Sequence, residues 1–148
     1  MPGTPDAVRV ALAFDFGAKR IGLALGDTLT RSAVARGAIA MHAGGPDWVA
    51  IRRAIAAHAP DVLVVGTPYN VDGEATAMTV RTREFAAELA AHCALPVEQV
   101  DERYSSIEAT ERLKAQRASG ARRRRVRKED IDSAAAVVIL QRWLKGER

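Results

Sequence analysis

The amino-acid sequence predicts an α/β fold in which helices flank a mixed five-stranded sheet. The N-terminal part holds three apolar stretches of alternating pattern, joined by connections too short for a crossover helix. After them, short apolar runs alternate with segments of helical spacing. The 148 residues, 48% hydrophobic and 27% charged, suit one soluble domain. We therefore expect residues 1–148 to fold as a single domain.

The first three strands are predicted to form an antiparallel meander. Val8–Phe14 is mostly apolar and leads into Asp15 and Gly17, which favour a tight turn. Arg20–Gly26 and Ser32–Met41 follow as the second and third strands. Because the connections are short, consecutive strands should pair with each other.

Helices and strands then alternate. Asp47 can cap a helix that Pro60 ends, and Asp61–Gly66 is a continuous apolar run typical of a strand covered on both faces. Glu74–His92 has the spacing of a surface helix, and Pro96–Val100 follows as the fifth strand. These two strands should run parallel to the first, because helices cross over between them.

Two further helices are expected in the C-terminal part. One is capped by Ser105 or Ser106 and runs to about Leu113, and the other starts near Asp130. Right-handed crossovers from the meander place the fourth and fifth strands on the far side of the first strand. This order of elements is the ribonuclease H-like arrangement.

Positive charge concentrates in one stretch of the C-terminal part. The chain has a net charge of +4, and basic residues are frequent between Arg112 and Lys128. The segment of about 116–129, which covers most of this stretch, is predicted to be a flexible basic loop. Consecutive arginines repel one another unless an anion neutralises them, which favours a nucleic-acid backbone as partner over a solvated loop without a ligand. The basic residues of the stretch are Arg112, Lys114, Arg117, Arg122, Arg123, Arg124, Arg125, Arg127 and Lys128.

Three acidic residues fall where such a sheet would bring chain segments together. Asp15 ends the first strand, Glu102 follows the fifth, and Asp132 lies in the first turn of the last helix. Carboxylates can hold two divalent cations against a phosphodiester, as its hydrolysis requires. Each residue also has an ordinary interpretation: a turn residue, a surface ion pair and a residue that favours the helix dipole, respectively.

Composition excludes several other classes of protein. No apolar run approaches the roughly 20 residues of a membrane span, and the N-terminus lacks the pattern of a secretory signal, so we expect a cytoplasmic protein without a membrane partner. Cys93 has no second thiol to pair with. The histidines lack ligand spacing, and Trp48 and Trp143 occupy apolar helical positions typical of a core.

Four blocks of the sequence together resemble one family, the YqgF or RuvX family of Holliday junction resolvase-like proteins, also described as pre-16S ribosomal RNA nucleases. Their order and spacing match the family pattern over nearly the whole chain. The blocks are DFGAKRIGLA from Asp15, VGTPYNVDG from Val65, DERYSS from Asp101 and DSAAA from Asp132.

The resemblance implies a nuclease whose metal-binding acids are Asp15, Glu102 and Asp132. It also implies that Asn70 and Gly73 lie near the site, and it favours precursor ribosomal RNA over junction DNA as substrate. The Mg²⁺ or Mn²⁺ ions of such a site would activate a water nucleophile.

The residues themselves suggest further roles in substrate binding. Lys19 and Arg20 follow Asp15 in the first turn and could hold a phosphate. Arg103 could orient Glu102 or touch the nucleic-acid backbone. The segment Arg122–Lys128 would bind the backbone without reading sequence.

The hypothesis is therefore a two-metal endonuclease acting on structured RNA or branched DNA, as a monomer or a homodimer. One alternative is a Holliday junction resolvase, and another is an RNA-binding ribosome-assembly factor without catalysis. Actin-like ATPases also present an aspartate after a first strand, but they generally pair two such domains, for which this chain is too short.

Overall fold

The sheet lies between helices on both faces. A computed structural model describes residues 7–68, 73–101 and 128–146, and within 128–132 it describes the backbone alone. The strands are β1 (Val10–Phe16), β2 (Arg20–Asp27), β3 (Ala33–His42), β4 (Gly45–Pro46), β5 (Val62–Thr67) and β6 (Val97–Asp101). The helices are α1 (Trp48–His58), α2 (Ala77–His92) and α3 (Lys128–Leu144).

The strand order is β4-β3-β2-β1-β5-β6. β1 pairs with β2 antiparallel and with β5 parallel, and β5 pairs with β6 parallel. The predicted mixed sheet is therefore confirmed, with the strands after the meander on the far side of β1. Among the described residues the sheet has one strand more than the predicted five: β4, whose two residues pair with Met41 and His42. Two residues are too few to produce an alternating pattern in the sequence.

The side chains of β1 alternate between two cores. Leu12, Phe14 and Phe16 pack with α1 and α2 on one face of the sheet. Ala11 and Ala13 pack on the other face, against α3. All six residues of β5 are buried, as expected for a parallel strand covered on both faces.

The ends of α1 and α2 are set by caps. The Asp47 side chain accepts a hydrogen bond from the Ala50 N–H at 3.0 Å, which confirms its predicted capping role. α2 begins at Ala77, three residues later than predicted, because Thr76 and Thr79 form a capping box. α1 ends at His58, just before Pro60 as expected.

The start of the last helix was predicted near Asp130, and in the described residues α3 already includes Lys128, two residues earlier. The predicted helix from Ser105 or Ser106 to Leu113 lies outside the described residues, as does most of the basic loop. No helix in the described ranges has the length and apolar character needed to cross a membrane.

The tryptophans and two of the histidines take part in packing. Trp143, on α3, is buried, and Trp48 stacks on His92 with ring centroids 4.0 Å apart. His42 donates or accepts a hydrogen bond with Asp47 at 3.1 Å. Hydrogen bonding from the Ala50 N–H, followed by that with His42, lowers the pKa of the Asp47 carboxyl.

Candidate active site

Asp15 is the penultimate residue of β1, at the edge of the sheet where the parallel strands end. It pairs with Gly22 on β2, and because Phe14 pairs with Val65 on β5, it lies level with Gly66. Paired residues point to the same face, so the positions beside Asp15 on the two neighbouring strands are glycines. The alternation of β1 places Asp15 on the α3 face.

The carboxyl ends of β5 and β6 lie at the same edge of the sheet as Asp15. Thr67 pairs with Asp101, the last residue of β6. On the α3 face of β6, Glu98 accepts a hydrogen bond from Trp143 Nε1 at 2.9 Å and Val100 packs into the core. Glu102 comes two positions after Val100 in the sequence and lies outside the described residues.

The first half of α3 is attached to the meander by Ser133. Its hydroxyl donates to the carbonyl oxygen of Leu23 at 2.9 Å and accepts from the Gly37 N–H at 3.1 Å. Leu23 pairs with Phe14, the neighbour of Asp15. Ser133 thereby anchors the start of α3, which carries the Asp132 backbone, on the face of the sheet to which Asp15 belongs.

The other end of α3 contacts β6. The Arg142 guanidinium donates a hydrogen bond from Nη1 to the Asp101 carbonyl oxygen at 3.0 Å. Arg142 thus holds the residue that directly precedes Glu102. Neither Ser133 nor Arg142 was assigned a role from the sequence. Ser133 stands between Asp132 and the apolar run of α3, so the sequence gives only a weak signal for it.

The turn between β1 and β2 presents Lys19 and Arg20 at this edge. The Gly17 N–H donates to the Arg20 carbonyl oxygen at 3.0 Å, and the Met41 N–H donates to that of Lys19 at 2.9 Å. The Lys19 side chain is exposed and Arg20 is half-buried. Arg20 lies two residues from Gly22, on the same face as Asp15.

The remaining site residues predicted from the sequence are not among the described side chains. α3, which carries Asp132, packs against β1, the strand that carries Asp15. In the part of the chain that the structure describes, no group of three or more His, Cys, Asp or Glu side chains could hold a metal ion. The residues outside the described side chains are Asn70, Glu102, Arg103, Arg122, Arg123, Arg124, Arg125, Lys128 and Asp132.

Comparison with known families gives a match over nearly the whole chain. The family model described as "RuvX: Holliday junction resolvase" matches residues 9–146. The chain belongs to the RuvX family. The resemblance inferred from the four sequence blocks is therefore confirmed.

Curated relatives of this RuvX-family chain include two from Xanthomonas, each named "Putative pre-16S rRNA nuclease". The protein of Xanthomonas axonopodis pv. citri (strain 306) is 46% identical over 140 residues, which cover 95% of this chain and 88% of the relative. That of Xanthomonas campestris pv. campestris (strain 8004) is 45% identical over 142 residues, covering 96% and 90%.

Similar solved structures are Holliday junction resolvases with low sequence identity. "T. thermophilus RuvC in complex with Holliday junction substrate" has a TM-score of 0.52 and 14% identity, covering 93% of this chain and 94% of that one. The yeast mitochondrial Holliday junction resolvase Ydc2 has a TM-score of 0.51 and 13% identity, covering 91% and 77%. These matches confirm the ribonuclease H-like fold.

Proposed function

We propose that this RuvX-family chain is a metal-dependent endonuclease that hydrolyses phosphodiesters in structured RNA, with pre-16S ribosomal RNA as substrate. The observation that carries the proposal is the position of Asp15. Its carboxylate lies at the carboxyl edge of the sheet between two glycines, and Ser133 holds the Asp132 backbone on the same face. The names of relatives more than 40% identical over nearly the whole chain support the choice of RNA.

The residues at this edge suit a divalent cation. Mg²⁺ and Mn²⁺ prefer carboxylate oxygens, and the positions beside Asp15 on both neighbouring strands are glycines. Asp15, Glu102 and Asp132 would hold the metal. When bound as a pair, the cations would neutralise charge on the scissile phosphate and lower the pKa of the attacking water.

Basic residues around the edge would position the substrate. Arg20 lies on the Asp15 face and would contact a phosphate close to the metal, while the exposed Lys19 would contact the next one along. In the sequence, Asn70 and Arg103 lie near the ends of β5 and β6, and we assign them to the same task. The segment 122–128 would bind the RNA backbone at a greater distance, independently of base sequence. Processing of ribosomal RNA would place the protein in the cytoplasm.

A direct assay of substrate and metal tests the proposed activity. Purified protein is incubated with a labelled pre-16S RNA fragment or a four-way DNA junction, in Mg²⁺, Mn²⁺ or excess EDTA. We expect internal cleavage of the RNA that requires Mg²⁺ or Mn²⁺. Preferential cleavage of the junction would instead assign the resolvase activity, and RNA binding without cleavage under any metal would assign a ribosome-assembly factor.

Removing charge from the basic segment should weaken RNA binding without affecting the chemical step. For Arg122→Gln combined with Arg123→Gln, we expect about tenfold lower RNA affinity. The slope of the logarithm of the binding constant against the logarithm of the salt concentration, the salt slope, should be about 1.4 units shallower, because each lost phosphate contact lowers its magnitude by about 0.7. Filter binding across a salt series measures both quantities. The rate of cleavage at saturating RNA should stay unchanged.

The matched control removes two charges from another face. Arg52 and Arg53 are exposed on α1, across the sheet from Asp15. Arg52→Gln combined with Arg53→Gln should leave the salt slope within experimental error of the wild type. An equal loss of RNA affinity in both double variants would indicate that binding depends on overall charge, and would contradict a specific role for the segment 122–128.

A further inference from the structure

The pairing of β2 with β3 contains a bulge close to the candidate site. Gly22 pairs with Ala38 and Ala24 with Ala35, so Leu23 stands opposite two residues of β3 rather than one. These two residues are Arg36 and Gly37, and Gly37 has a φ of 79°. This left-handed conformation favours glycine and is typical of a bulge.

A side chain from α3 fills this bulge. The Ser133 hydroxyl accepts from the Gly37 N–H and donates to the Leu23 carbonyl oxygen, so one hydroxyl bridges two backbone groups of neighbouring strands. Ser133 is only 4% exposed. Water therefore cannot readily replace the hydroxyl as the partner of these two backbone groups.

The bridge is one residue from Asp132 in the chain and one pairing position from Asp15 in the sheet. Ser133 directly follows Asp132, and Leu23 pairs with the residue before Asp15. Rotation or sliding of α3 over the small residues of β1 and β2 would move Asp132 relative to Asp15. Both hydrogen bonds of Ser133 oppose that motion.

We propose that Ser133 is a positioning residue, whose hydroxyl inserts into the β2–β3 bulge and fixes the distance between the Asp15 and Asp132 backbones. The proposal rests on the proposed metal-dependent nuclease function. Groups that orient metal ligands typically affect metal affinity or activity 10–100-fold, and a shift of about 1 Å at a reacting centre can cost about 100-fold in rate. The Ser133 bridge is the element that sets this geometry.

Metal binding and cleavage in Ser133 variants test this assignment. For Ser133→Ala we expect Mn²⁺ affinity and kcat each to fall about 10–100-fold. The KM for RNA should change less than twofold, since the basic residues are untouched. Electron paramagnetic resonance of free Mn²⁺ measures metal affinity without the need for turnover. Ser133→Thr retains a hydroxyl and should restore most of the affinity.

A buried variant on the same helix separates positioning from stability. Ile139 is fully buried in α3, six residues after Ser133. Ile139→Val should destabilise the fold with little effect on Mn²⁺ affinity or kcat, each measured well below the melting temperature. Should Ser133→Ala fail to fold, Ser133→Cys takes its place, with weaker hydrogen bonding and an intermediate affinity.

Two results would overturn the assignment of Ser133. One is wild-type Mn²⁺ affinity and kcat in Ser133→Ala, and the other is an equal loss of both in Ile139→Val at matched stability. A different result would contradict the proposed function, namely Mn²⁺ binding and RNA cleavage that stay at wild-type levels when Asp15 is replaced. The Asp15→Asn variant is therefore measured in the same series.

Discussion

Asp15→Asn is expected to lower the rate of RNA cleavage at least about 1000-fold, a loss of about 4 kcal/mol of transition-state stabilisation. The substitution keeps the size of the side chain but removes the charge that would hold a divalent cation. Mn²⁺ affinity should fall with activity. RNA affinity should change little, because the proposed phosphate contacts come from basic residues. Single-turnover cleavage, Mn²⁺ titration and filter binding measure the three quantities.

The control for Asp15→Asn is Asp61, which lies just before β5 and contacts the opposite end of β1. The Asp61 carboxylate accepts a hydrogen bond from the Val10 N–H at 2.8 Å, at the start of β1. An asparagine oxygen can accept the same bond, so Asp61→Asn should cleave RNA and bind Mn²⁺ at wild-type levels. Cleavage by Asp15→Asn at the wild-type rate would show that Asp15 holds no catalytic metal.

The fold could be predicted because its signals are local. The short connections of the meander fix the pairing of β1, β2 and β3, and the buried run in β5 requires a parallel strand with helices on both faces. The right-handed crossover rule then leaves one place for β5 and β6. None of these steps needs knowledge of side-chain contacts.

The geometry of the site depends on register, which the sequence does not reveal. Gly22 and Gly66 are visible as glycines, but their places on either side of Asp15 follow from how β1 pairs with its neighbours. The bulge opposite Leu23 and its occupation by Ser133 likewise require three elements to be placed together. Sequence reasoning could therefore identify Asp15 as a candidate but not what surrounds it.

Small boundary errors have similarly specific causes. α2 was predicted to start at Glu74, yet the reciprocal hydrogen bonds between Thr76 and Thr79 place its first turn later. A pair of threonines is a weaker signal in a sequence than the usual serine and glutamate of a capping box.

Gly26→Ala is expected to destabilise the protein by about 3 kcal/mol and to lower its melting temperature by about 10 °C. A Cβ at this position would lie 2.2 Å from the Ser32 carbonyl oxygen and 3.0 Å from Leu140 Cδ2. The edge of the meander and α3 would both have to move, because neither contact is with the free end of an exposed side chain. Thermal unfolding in EDTA measures the effect without a contribution from metal binding.

Gly44→Ala provides the comparison, because a Cβ there would meet no atom within 4 Å. This substitution removes the same backbone freedom as Gly26→Ala but creates no clash, so its stability should stay within about 0.5 kcal/mol of the wild type. The difference between the two variants measures the close approach of the Ser32 backbone and of the Leu140 side chain to Gly26. Equal melting temperatures for both would mean that the Ser32 backbone and Leu140 can move away from Gly26 without loss of stability, and would contradict tight packing at this position.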